Sequence, residues 1–323
     1  MRILGVDIGG TKTLVGVVDE TGAVLAKERI ETPGALGPGV NLPAILNACD
    51  SLGHTFDAVG IGCGGPLDRR TGTLLDVPNL PGWNGVCLTQ VFEERFKVRA
   101  YLDNDATAAA MGEHIFGAGK GVDDMVFFTM STGIGGGIIA GGKPYRGSAD
   151  YAGEFGHHTI KTDGPECRCG SRGCLESLAS GTAIARIAGE RVREGNASSL
   201  KNVTEITAEA VLHAALAGDE LAREVWDEAM ENMGIGVANV VSILNPSLVI
   251  IGGGVTRAGD ALFEPVRAVV KKRVMKPIGE LVKIVPAANG DLFGLYGAAA
   301  IALDEIRQYK EIPNVDFAGA DLH

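Results

Sequence analysis

The stretch RILGVDIGGTKTLVGVVD, residues 2–19, decides the fold. Its apolar residues crowd into two short runs, RILGVDI and KTLVGVVD, and Gly9 and Gly10 between them predict two strands joined by a tight turn. Asp7 ends the first strand. The glycines let the turn's backbone N–H groups approach an anion, and Thr11 and Lys12 add further donors. Working outward, AVLAKERI reads as a third strand after the turn DETG, residues 40–52 as a helix, and DAVGIGC as a strand. Residues 88–96 form a helix leading into the strand VRAYLD, and a small-residue helix runs from Asp105 to about Phe116.

The chain then repeats itself. DMVFFTMSTGIGGGIIAGGK, residues 124–143, is again a strand, a glycine-packed turn and a strand, with Ser131, Thr132 and Gly133 in the turn. Helices are predicted over 174–194, 208–217 and 221–244, followed by the buried strand SLVIIGGG, a helix over 261–274, the strand LVKIVPAA and a helix over 292–306. Each half ends on a small-residue helix, NDATAAAMGE in one and GDLFGLYGAAA in the other. The pattern predicts duplicated α/β domains facing a cleft. The glycine-rich GAGKG places the boundary so that residues 1–117, joined by the tail 307–323, form an N-terminal lobe and residues 118–306 a C-terminal one.

Two such turns facing each other would grip a polyphosphate from both sides. A single one also reads as a plain hairpin using glycine for positive φ; the pairing, with an acid leading the first, favours phosphate. Two other matches are discounted. GIIAGGKP has P-loop spacing, but Pro144 stands where a Ser or Thr would ligate Mg²⁺; GIGCGG fits a dinucleotide fingerprint, but Pro66 follows and no helix begins. The glycines 252–254, after a buried strand, stand where an open α/β sheet receives a nucleoside.

Bulk properties narrow the class. A chain of 323 residues, 46% hydrophobic, can build a sizeable core, and its net charge of −11 disfavours nucleic acid. No apolar run approaches the roughly 18 residues of a membrane span, so a soluble cytoplasmic protein is expected.

Two sites carry chemistry. Asn104 and Asp105 end a strand and start a helix, where Asp105 either caps the helix or, ionised by the helix dipole, accepts the proton of an attacking hydroxyl. Cys167, Cys169 and Cys174 form C-x-C-x₄-C. With His157 they make a four-ligand structural zinc set, His158 being the competing imidazole. A disulfide is the alternative, opposed by the odd count of three.

In order along the chain, DIGGTK, GCGGPLD, LDND, STGIGGG, GEFGH, CRCGSRGCLE and IIGGG resemble the ROK family over about 300 residues. The resemblance implies the duplicated actin-like, ribonuclease-H-type ATPase fold, and a homodimer or tetramer that phosphorylates a hexose with ATP and Mg²⁺. Glucose is the first expectation. N-acetylmannosamine or N-acetylglucosamine is the near rival, and a non-enzymatic sugar-sensing regulator the more distant one. By resemblance, Asp105 takes the proton of the sugar 6-hydroxyl, while Gly65, Asn79, Asn104, Glu154, His157 and Glu176 bind the sugar's hydroxyls. Gly10, Thr11, Lys12, Thr132, Gly133 and Gly254 hold ATP, and Asp7 lies near Mg²⁺. His157 then serves both zinc and sugar. One departure stands out: Gly64 occupies the position where many members carry proline before the Gly-Pro pair.

Overall fold

The same five-stranded sheet is built twice. The computed structural model describes residues 1–75 and 77–311. In the first half, β1 (Arg2–Ile8), β2 (Lys12–Asp19) and β3 (Val24–Glu31) run antiparallel, followed by α1 (Pro38–Ser51) and β4 (Ala58–Cys63). A two-residue ribbon, β5 (Leu67–Asp68) with β6 (Thr73–Leu74), precedes α2 (Leu88–Phe96), β7 (Arg99–Asn104) and α3 (Asp105–Phe116). The sheet order is β3-β2-β1-β4-β7, with β1, β4 and β7 parallel. Strands β1, β2 and β4 are buried almost throughout, as central strands covered on both faces must be, whereas β3 at the edge alternates inward and outward.

The second half opens with β8 (Met125–Met130), β9 (Ile134–Ala140) and β10 (Lys143–Pro144), then α4 (Leu175–Ala179), α5 (Gly181–Arg193), α6 (Ala208–Leu216) and α7 (Glu220–Leu244). It closes with β11 (Leu248–Gly252), α8 (Asp260–Arg273), α9 (Lys276–Leu281), β12 (Lys283–Pro286) and α10 (Phe293–Glu311). Its sheet order, β10-β9-β8-β11-β12, repeats the first: an antiparallel hairpin on one side, parallel partners on the other. This repetition is the duplicated actin-like α/β fold. The P-loop match ends in β10, a strand paired with β9, where no helix starts to receive a phosphate.

Two compact units result: Met1–Ala108 together with the chain from Gly294 on, and Ala109–Phe293. The changeovers fall inside α3 and at the head of α10, earlier than the glycine-rich 117–121 and the residue 307 expected from sequence. Continuous helices carry the chain from one unit to the other, so no loop composition marks the crossing. Of the tail 307–323, residues 312–323 lie outside the described residues. Each unit has its own core, one around Val6, Ile61, Trp83 and Phe92, the other around Phe128, Trp226, Met233 and Ile251. Each such fully buried side chain contributes about 1.5–3 kcal/mol of hydrophobic stabilisation.

The helix expected over 174–194 is broken at Ser180. That residue is extended, at φ −67° and ψ 161°, and its hydroxyl caps α5 by accepting from Ala183 N–H. The break lets Gly181 N–H donate to the Ser131 carbonyl at 2.8 Å. A Cβ on Gly181 would lie 2.8 Å from that same oxygen, so glycine permits the approach. Helix α9, six residues with no buried position, was not legible in the apolar pattern because it has no core-facing stripe. Among the described residues no helix is long and apolar enough to cross a membrane.

Candidate active site

At the β1–β2 turn, the carbonyl oxygens are engaged by backbone. Gly9 N–H donates to Lys12 O at 3.0 Å, Thr32 N–H to Thr11 O and Gly34 N–H to Gly10 O, both at 2.9 Å. A Cβ on Gly10 would lie 2.9 Å from the Asn79 carbonyl, so the loop bearing Asn79 packs on the turn itself. Thr11 and Lys12 are exposed.

Behind this turn stand two carboxylates. Asn104 caps α3: its Oδ1 accepts from Ala106 N–H at 2.9 Å and Thr107 N–H at 3.3 Å. Asp105 Oδ1 also accepts from Ala106 N–H, at 2.8 Å, so the helix start engages one of its two oxygens. Its Oδ2 lies 3.9 Å from where a Cβ on Gly64 would be, and the Nδ2 of Asn104 lies 3.5 Å from the equivalent point on Gly65. Gly65, Asn104 and Asp105 are thus neighbours, and the Gly65–Pro66 peptide beside them is cis. Asp7 belongs to the same group, its Oδ1 lying 4.0 Å from the Cβ point of Gly62, as does Asp105 Cα.

The helix dipole, expected to keep Asp105 ionised, is opposed by its surroundings. Its side chain reaches solvent, yet desolvation by the surrounding protein pushes its carboxyl above the ordinary range, against the lowering effect of Ala106 N–H. Asp7 is pushed up to about 7 by burial and then by the negative charge of Asp105, while Lys12 pulls it down. An under-compensated buried carboxylate of this kind suits a hard cation. Gly294, at the head of α10, makes room for it: a Cβ there would collide with Asp7 Oδ2 at 2.0 Å. Nothing local in GDLFGLYG signals this contact, which joins residues almost the whole chain apart.

The β8–β9 turn is held differently. Ser131 N–H donates to Gly133 O at 2.9 Å, and Ile134 N–H donates to Glu176 Oε2, also at 2.9 Å. A Cβ on Gly133 would fall 2.4 Å from that Glu176 oxygen. Glu176 lies in the first turn of α4, whose N-cap is Cys174. Gly253, at φ +95°, passes close to the Met130 carbonyl, a path a side chain would block at 2.5 Å, and this brings Gly254 beside Ser131.

From Thr132 and Gly254 a cavity of about 560 Å³ opens, walled by Thr182 of α5, Leu212 of α6, Trp226 of α7 and Val255 after β11. Sequence reasoning missed these walls because they come from three helices and a loop distant in the chain. The one available signal was the helix start at Ser180–Thr182.

The cysteine cluster closes on itself. His157, Cys167, Cys169 and Cys174 bring their ligand atoms within 4.8 Å of one another. His157 Nδ1 is 3.6 Å from Cys167 Sγ, and Cys169 Sγ is 3.7 Å from Cys174 Sγ, with all three thiols free. These side chains form a site able to hold a metal ion. His158 turns away, its Nδ1 lying 2.5 Å from the Phe155 carbonyl oxygen. The other nitrogen of His157, Nε2, faces Glu154 Oε2 at 4.0 Å. Glu154 thus stands beside the cluster through His157, and Glu176 follows Cys174 by two residues in α4, spending one oxygen on the Ile134 amide.

The duplicated actin-like α/β fold thus carries a glycine turn in each half, an acid at the head of α3 and a cavity of about 560 Å³ in the second unit. The chain belongs to the ROK family, whose sequence model matches residues 3–305. It is 36% identical over 312 residues to a glucokinase of Thermotoga maritima, covering 95% of this chain and 98% of that one. It also resembles the crystal structure of a ROK family glucokinase from Streptomyces griseus in complex with glucose and AMPPNP: TM-score 0.80, 38% identity, 95% of this chain and 100% of that one. A ROK hexokinase from Thermus thermophilus matches with TM-score 0.81 and 34% identity over 95% and 100% of the two chains.

Proposed function

We propose that this chain transfers the γ-phosphoryl group of ATP to the 6-hydroxyl of a hexose, glucose first, with Asp105 as the general base. The observation that carries the reading is the arrangement at the head of α3, where Asn104 and Asp105 Oδ1 share the Ala106 N–H and Asp105 Oδ2 stands beside Gly64, next to Gly65. The relatives named glucokinase, covered over nearly their full length, support the substrate.

Asp105 takes the 6-hydroxyl proton as the sugar oxygen bonds to the γ-phosphorus and the bond to the bridging β,γ-oxygen breaks. ADP leaves, and the proton passes from Asp105 to solvent. The N–H groups of the Gly10–Lys12 turn and of the Thr132–Gly133 turn bind phosphate oxygens, and the nucleoside lies in the cavity bordered by Gly254 and Trp226. Asp7 would hold Mg²⁺, which neutralises phosphate charge. Gly65, Asn79, Asn104, Glu154, His157 and the remaining oxygen of Glu176 orient the sugar through its hydroxyls, rejecting analogues that leave such groups unpaired.

The metal in the cysteine cluster is zinc and structural. Tetrahedral ligands at Zn–S of about 2.3 Å and Zn–N of about 2.0 Å stand roughly 3.5–3.8 Å apart, and the Cys169–Cys174 and His157–Cys167 spacings of 3.7 and 3.6 Å agree. Four protein ligands leave no open position for activated water, so the metal's part is to hold the loop that carries Glu154 and His157 and the helix that carries Glu176.

The test is a coupled ADP-release assay over glucose, mannose, fructose, N-acetylglucosamine and N-acetylmannosamine. Glucose is expected to give the highest kcat/KM. ADP release at the no-sugar background for every acceptor would overturn the kinase reading, and a preference for an N-acetylhexosamine would reassign the sugar.

A further inference from the structure

Glu113, in the last turn of α3, is fully buried, and both of its carboxylate oxygens are engaged by backbone. Oε1 accepts from Asn289 N–H at 3.0 Å, and Oε2 accepts from Ala288 N–H at 3.1 Å and Ala118 N–H at 2.9 Å. The Asn289 side chain returns a bond, its Nδ2 donating to the Gly112 carbonyl at 3.3 Å. The loop gripped in this way is itself fastened to the second sheet, since Ala287 N–H donates to the Ile251 carbonyl of β11 at 3.0 Å. A buried carboxylate is costly unless donors reach its oxygens, and a side chain that only filled space here could be apolar. The three amide bonds therefore point to a lock.

We propose that Glu113 is a positioning residue for phosphoryl transfer, locking α3 at the axial register that sets Asp105 in place; the inference rests on the kinase reading and deepens it. Asp105 heads the same helix, about 12 Å along its axis from Glu113 at 1.5 Å per residue. Little on the Asp105 side of the helix could set that register. Ala106, Ala108, Ala109 and Ala110 are all buried, and their methyl groups make shallow ridges. Gly62, the neighbour of Ala108 in β4, adds no side chain to hold them. The gripped loop leads on to Gly294, which abuts Asp7. One carboxylate thus joins the helix that begins at Asp105 to the segment that feeds the helix beside Asp7.

In Glu113→Gln one acceptor oxygen remains and the NH₂ is set against backbone N–H, so the lock loosens at nearly constant volume. In the coupled ADP-release assay at saturating glucose and MgATP, well below the melting transition, kcat is expected to fall about ten- to hundredfold. Calorimetric affinity for a non-hydrolysable ATP analogue should stay unchanged, which reports that the variant is folded. Gly117→Ala reaches the same lock from outside, driving its Cβ into Glu113 Oε2 while keeping the carboxylate, and should lower kcat about threefold. If Glu113→Gln does not fold, Gly117→Ala decides. Val270→Ala, in the core of the same unit on α8, is the control for lost stability alone: its melting temperature should fall and its kcat should not. Full kcat in the deciding variant, or an equal kcat loss in Val270→Ala, overturns the proposal. No glucose-dependent ADP release from the unmodified protein overturns the kinase reading, and this role with it.

Discussion

The turn between β1 and β2 is buttressed by backbone, whereas the turn between β8 and β9 is buttressed by a side chain. In the first, Gly34 and Thr32 N–H groups hold the turn's carbonyls and the Asn79 backbone packs on Gly10. In the second, the Glu176 carboxylate holds Ile134 N–H, and Glu176 sits two residues beyond Cys174, which stands at the N-cap position of α4 and belongs to the cysteine cluster. Duplication kept the geometry of the device and changed its support. A backbone buttress is as rigid as the sheet, while a side-chain buttress tied to the cysteine cluster makes the second turn depend on a loop that also carries Glu154 and His157.

The largest expected effect lies on the first unit's side. Asp105→Asn should lower kcat by about 10²–10⁴-fold while calorimetric glucose affinity changes little; equal turnover would remove Asp105 from the mechanism. Next comes the metal. About one zinc per chain is expected by elemental analysis, and Cys169→Ser should lose it and weaken glucose binding more than ATP binding, because the proposed sugar contacts Glu154 and His157 sit at the cluster. Full zinc content in that variant would contradict the assignment.

The turns themselves should respond unequally. Gly10→Ala drives a Cβ against the Asn79 carbonyl, backbone that cannot yield cheaply, and should destabilise by about 1–3 kcal/mol in denaturant titration. Gly133→Ala meets only the mobile end of Glu176. It should displace that hydrogen bond, raise the KM for ATP and cost less stability. Equal stability losses would break the contrast between the two buttresses.

The smallest effect concerns Asp7. Its carboxyl titrates near 7 in the fold against 3.8 ordinarily, so the folded chain holds a proton that the unfolded chain releases between those values. The sign follows: ionised Asp7 costs stability above about pH 7, and the cost vanishes below about 3.8. Without divalent cations, Asp7→Asn should therefore be more stable than the unmodified protein by about 1–2 kcal/mol at pH 8, with the two curves meeting near pH 4. A gap that widened on acidification would refute the sign.

Much of this was legible in residues close in sequence. The strands, both turns, the C-x-C-x₄-C spacing and the helix starting at Asp105 all express local preferences: alternation, positive φ at glycine, ligand spacing and capping. Asn104 against Asp105 marks where legibility stopped. Both are good capping residues and both accept from Ala106 N–H, and only the path of the chain out of β7 gave Asn104 the second bond, from Thr107 N–H.

Sequence by itself determined the duplicated strand–turn–strand order, the family and the four metal-ligand candidates, because each is written within a few residues or in their order along the chain. The tertiary structure alone decided that Glu176 braces the β8–β9 turn, that Gly294 clears space for Asp7, that Gly181 reaches Ser131, and that three helices wall the second unit's cavity. Those are contacts between residues tens to hundreds of positions apart, set by packing and by which buried polar groups must find partners. No local pattern encodes them.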